Sequence, residues 1–187
     1  MQGTPDLQVD AAMLASSLLI EMQDFPDGDC AITEGCVGAA GTRKLLRFAV
    51  AVPNLGTGDL ILGKPQDNPA LFEFSPCHNH FHFTGFARYE LRDAGNSTVL
   101  LGRKQSFCIQ DSQRVTPGAP THSYNCNNQG ISVGWEDIYD ATIACQFLDI
   151  TAVPAGNYTL VVTVNPDQTL TETDLTNNVA TAPVTIP

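Results

Sequence analysis

Basic residues are scarce in this chain. Nine Lys and Arg stand against twenty Asp and Glu, a formal net charge of −11. That balance argues against nucleic acid and anionic membrane surfaces as partners and leaves a surface that attracts cations. No apolar run reaches the roughly eighteen residues a membrane-spanning helix needs, so no membrane insertion is expected. The N-terminus, Met1-Gln2-Gly3-Thr4-Pro5, lacks a basic stretch followed by an apolar one and does not read as a signal peptide. No Cys-x-x-Cys pair occurs, which argues against a zinc knot or a thioredoxin-like site. Internal repeats and low-complexity tracts are also absent. Lysine occurs only as Lys44, Lys64 and Lys104.

What is present suits one globular unit. The 187 residues are 43% hydrophobic, enough for a core in a single domain over 1–187. Six scattered cysteines, Cys30, Cys36, Cys77, Cys108, Cys126 and Cys145, form an even set. They imply three disulfides and a secreted or otherwise extracytoplasmic setting, though spacing does not choose among the pairings. Residues 11–22 fit either a helix or an apolar strand. Strands are expected at 45–52, 60–62, 87–91, 98–101, 105–109, 156–164 and 179–186, with turns at 24–28 and 93–97. Residues 111–137, rich in Asn, Gln, Gly, Pro and Ser, read as a long irregular loop. The predicted class is mainly β: an antiparallel β-sandwich core with long irregular loops, little helix and disulfide bracing.

The most specific local pattern is Cys77-His78-Asn79-His80-Phe81-His82, which holds three of the four histidines. On a β-strand, residues i, i+2 and i+4 share a face, so a strand here would present His78, His80 and His82 together. Three neighbouring imidazoles suit a divalent transition metal, copper or zinc.

Four segments together resemble the lysyl oxidase family. They are Cys77-His78-Asn79-His80-Phe81-His82; Gly102-Arg103-Lys104-Gln105-Ser106-Phe107-Cys108; Gly134-Trp135-Glu136-Asp137-Ile138-Tyr139 with Cys145-Gln146-Phe147-Leu148-Asp149-Ile150-Thr151; and Gly156-Asn157-Tyr158, Val164-Asn165-Pro166 and Glu172-Thr173-Asp174-Leu175-Thr176-Asn177-Asn178. The likeness runs over almost the whole chain and looks like a compact, microbial form of the catalytic domain. It implies copper at His78, His80 and His82, and a lysine tyrosylquinone cofactor made from Lys104 and Tyr139. It implies oxidation of primary amines, such as peptidyl lysine or small amines, by O2 to aldehydes, ammonia and hydrogen peroxide. It also implies the disulfides Cys30–Cys77, Cys36–Cys145 and Cys108–Cys126. A calcium site at Asp6, the backbone of Leu7, Glu172, Asp174, Asn177 and Asn178 is implied as well, and its hard oxygen donors suit that ion.

The chain departs from the family pattern at two places. Arg88 stands where animal members carry a further histidine, and Arg103 where the family has histidine before the lysine. A permanently charged arginine is an unsuitable base. Asp137, Glu136 and His122 are then the candidate proton acceptors. Two other readings of the histidines stay open here: a zinc hydrolase that activates water, and a non-catalytic copper-binding β-sandwich module. Oligomeric state is not legible.

Overall fold

A computed structural model describes residues 3–102 and 107–187. In chain order its elements are α1 (Ala11–Ser16), β1 (Leu19–Phe25), α2 (Cys30–Thr33), β2 (Gly41–Arg47), β3 (Val50–Pro53), β4 (Leu60–Gly63), β5 (Phe72–Ser75), β6 (His80–Phe83), β7 (Ala87–Arg92), β8 (Thr98–Leu101), β9 (Gln113–Arg114), β10 (Gln129–Ile131), β11 (Trp135–Tyr139), β12 (Phe147–Asp149), β13 (Gly156–Val164) and β14 (Val179–Ile186). The fold is mainly β, all pairings between named strands are antiparallel, and the helices are short. No helix among the described residues is long and apolar enough to cross a membrane.

The largest sheet runs β14-β13-β7-β8. Its strands follow from alternation: in β14, Ala180, Ala182, Val184 and Ile186 are buried while Val179, Thr181, Pro183 and Thr185 are exposed. Pro183 cannot donate to a ladder, and β14 accommodates it as an edge strand. The inward faces join Leu14, Phe48, Val50 and Tyr89 in one apolar core. A second, smaller core contains Phe25, Val37, Leu45 and Phe147. Strand β2 divides the two, because consecutive Leu45 and Leu46, both fully buried, point to opposite faces.

Three expectations change. The apolar run 45–52 is two strands rather than one, broken at Phe48-Ala49 so that β2 pairs with β1 and β12 while β3 pairs with β11. Residues 11–22 hold both alternatives in succession, α1 and then the start of β1; Asp10 caps α1 by accepting from the Ala12 and Met13 N–H groups. The stretch 111–137 is not one irregular loop. It carries β9, β10 and the start of β11, and Asp111 orders it by accepting from Ser132 N, Ser132 Oγ and Ser123 N at 2.7, 2.7 and 2.8 Å. Phe107 makes an isolated bridge with Phe83, whereas Gln105 falls outside the described residues.

Disulfides join Cys30 to Cys77, Cys36 to Cys145 and Cys108 to Cys126. The first two tie α2 and the residues after it to the histidine hairpin β5–β6 and to the segment before β12.

Candidate functional site

The histidine segment is only partly a strand. His80 and His82 lie on β6 and share a face, but His78 sits in the β5–β6 turn. Asn79 takes a left-handed backbone (φ 53°), which breaks the alternation before His80. The turn nevertheless returns His78 to its neighbours. The three ring centroids are 4.8, 5.5 and 5.8 Å apart, and His80 Nε2 meets His82 Nε2 at 3.0 Å. His82 is buried. Gln129 fixes the hairpin from behind: its Nε2 donates to Phe81 O at 2.8 Å while its Oε1 accepts from Ile109 N at 3.0 Å.

A carboxylate absent from the expected site completes the cluster. Glu34 follows α2 as its C-cap, and its Oε2 lies 3.1 Å from His78 Nε2. Ser75 Oγ donates to Glu34 Oε1 at 2.5 Å. The available signal was its place between Cys30 and Cys36, but nothing in the local pattern points across 44 residues to His78. Glu34, the three histidines, Phe107 and Ile143–Cys145 line a cavity of about 70 Å³. Glu34 also lies close to the sulfurs of Cys36 and Cys145. Those sulfurs are bonded to each other, so they offer no thiolate to a metal. A larger groove of about 280 Å³ lies elsewhere, over Arg43, Leu100, Gly102 and Asp149, without a cluster of this kind among the described residues.

Tyr139 is buried at the end of β11, its ring 4.4 Å from that of Phe107, and the Phe107 ring in turn lies 6.4 Å from that of His82. Its hydroxyl donates to Asp137 Oδ2 at 2.5 Å. Burial, and then the charge of Asp137, push the phenol well above its ordinary pKa. Burial also pushes Asp137 up to about 7, against the lowering effect of hydrogen bonds from Tyr139, Gln110 N and Ser112. The other two candidate bases lie apart: Glu136 accepts from Gln113 Nε2, and exposed His122 packs on Trp135. Arg88 pairs with Asp167. Lys104 and Arg103 lie outside the described residues.

The acidic cluster at the N-terminus is drawn together by hydrogen bonds. Leu7 N donates to Glu172 Oε2 at 2.7 Å, Asn178 Nδ2 to Glu172 Oε1 at 2.8 Å, and Asn177 Nδ2 to Asp6 Oδ1 at 3.1 Å. The side-chain oxygens of Asn177 and Asn178 are buried with no hydrogen-bond donor among the described residues. Asp174 is turned to its own loop, accepting from Thr176 N and Oγ1, and these bonds lower its pKa.

A family model described as Lysyl oxidase matches residues 5–186. Lysyl oxidase homolog 1 of Homo sapiens is 35% identical over 189 residues, covering 95% of this chain and 32% of that protein. Lysyl oxidase homolog 2 of Bos taurus is 34% identical, covering 95% of this chain and 24% of that protein. Protein-lysine 6-oxidase of Sus scrofa is 35% identical, covering 95% and 74%. The chain thus spans about a third or less of the homolog 1 and homolog 2 relatives. Among solved structures, the CARDB domain of a Pyrococcus furiosus protein aligns over 98% of this chain and 90% of that chain, at 16% identity and a TM-score of 0.42.

Proposed function

The chain belongs to the lysyl oxidase family, and from that premise we propose that it is a copper-dependent amine oxidase. The proposed reaction converts primary amines, on lysine-bearing proteins or on small molecules, to aldehydes with release of ammonia and hydrogen peroxide. The observation that carries the reading is the gathering of His78, His80 and His82 around one small cavity. Imidazole nitrogens are the donors Cu(II) favours, and the 3.0 Å separation of His80 and His82 Nε2 suits two ligands of one ion, with His78 on the same cavity to be drawn in as the third. The net charge of −11 favours cationic amines over anionic substrates.

Tyr139 and Lys104 are the proposed sources of the lysine tyrosylquinone. That cofactor supplies an electron sink for the amine substrate. Asp137 is the proposed proton acceptor: its Oδ2 touches the Tyr139 hydroxyl, and a pKa near 7 lets it exchange a proton around neutrality. Phe107 and the surrounding apolar core keep bulk water from the phenol. Calcium is the proposed ligand of Asp6, Leu7, Glu172, Asp174, Asn177 and Asn178. The two buried amide oxygens beside the carboxylates of Asp6 and Glu172 support that reading; Asp174, bonded to Thr176 in its own loop, would have to turn inward to join them.

The test is amine-dependent peroxide production by copper-reconstituted protein, with intact mass and a visible spectrum to detect the Lys104–Tyr139 crosslink. Lys104→Ala and Tyr139→Phe are expected to abolish both turnover and crosslink. Peroxide production that survives both substitutions would overturn the cofactor assignment. Turnover with zinc alone, as hydrolysis, would favour a metal hydrolase instead.

A further inference from the structure

We propose that Glu34 is an oxygen ligand of the ion held by the three histidines, making the centre a site of three imidazoles and one carboxylate; this rests on the copper reading above. The donors stand as two pairs. His80 and His82 meet through their Nε2 atoms at 3.0 Å, and His78 Nε2 meets Glu34 Oε2 at 3.1 Å. A divalent ion with bonds of roughly 2.0–2.1 Å places adjacent ligand atoms about 2.8–3.4 Å apart. Each pair already has that spacing; no three of the four donors yet lie within 4.8 Å of one another, so binding one ion draws the two pairs together across the cavity.

The carboxylate is built into its place. The Glu34 side chain is 8% exposed. Ser75, the last residue of β5, holds Oε1 and leaves Oε2 toward His78. Glu34 also lies between two cysteines whose partners flank the cavity. Cys30 is bonded to Cys77, the neighbour of His78, and Cys36 to Cys145, which lines the cavity. The hairpin and the residues after α2 therefore cannot drift apart without breaking a covalent bond. Chemically, three neutral imidazoles leave a Cu(II) centre at a net charge of +2. One carboxylate halves that charge and is itself compensated for burial.

The experiment compares wild type with Glu34→Gln and Glu34→Asp by chelator-competition titration of Cu(II) and Zn(II), and by EPR of the Cu(II) forms. Intact mass under denaturing conditions checks that all three disulfides are present. Glu34→Gln is expected to weaken both metals by about 10–100-fold or more, with g∥ rising and A∥ falling as negative charge leaves the copper. Glu34→Asp should recover part of the loss. Infrared difference spectra of wild type, recorded on adding Cu(II), should show one carboxylate shift that is missing in Glu34→Gln. That spectrum also tests the proposal should the variant not fold, because a wild-type spectrum without any carboxylate shift overturns it. Wild-type affinity and an unchanged EPR spectrum in Glu34→Gln would overturn the Glu34 ligand alone. Failure of the wild type to bind copper, or binding that survives His80→Ala with His82→Ala, would overturn the copper reading as well.

Discussion

Asp137 shows how one buried side chain sets the behaviour of its surroundings with pH. Its ordinary pKa is about 3.9, and burial raises it to about 7 in the folded chain. The folded state therefore binds this proton more tightly than the unfolded one. The resulting stabilisation is complete below about pH 4 and is lost as pH rises through 7, by up to about 4 kcal/mol. Urea unfolding of the metal-free protein between pH 4.5 and 8 should show that decline, and Asp137→Asn should flatten it. An equal slope in both proteins would contradict the assignment. At this scale the sequence displayed the histidines plainly, but it misplaced the cause of their meeting. Alternation accounts for His80 and His82, whereas a left-handed Asn79 in a turn delivers His78. Glu34 was invisible because its role depends on disulfide partners distant in sequence.

Elements with a regular period were the most legible. Strands β7 and β14 carry a one-sided pattern and β13 a continuous apolar centre, all bounded by turn residues, and they lie where the sequence pattern put them. The run 45–52 was misread because its residues stay buried on both sides of the break at Phe48-Ala49, and Arg47, the polar residue beside that break, is buried as well. Strand β10 escaped notice because its residues, Gln129-Gly130-Ile131, have no strand signature. They are held by what Gln129 does for its neighbours. Gln129→Met keeps the volume but leaves Phe81 O and Ile109 N without this partner. It is expected to cost about 1–3 kcal/mol, measured as a lower denaturation midpoint, and to weaken copper binding by loosening β6.

At the scale of the whole molecule, the proposed function makes cations the natural ligands of this acidic chain. With a net charge of −11, the approach of the proposed cationic amine substrate should be assisted at low ionic strength. The kcat/KM for such an amine should fall as salt rises from about 20 to about 200 mM, with kcat changing much less; an unchanged ratio would place recognition in short-range contacts instead. Calcium should raise the Tm of chelator-treated protein, and Asn178→Ala should remove that response, because the cluster fastens residues 6 and 7 to the turn before β14. The three disulfides have a consequence for chronology. Two of them bring Glu34 and His78 within reach of each other, so on the proposed metal reading oxidative folding has to precede capture of the ion. Protein made in a reducing cytosol and given copper afterwards would contain every ligand and still load poorly until air or an isomerase had closed the bridges.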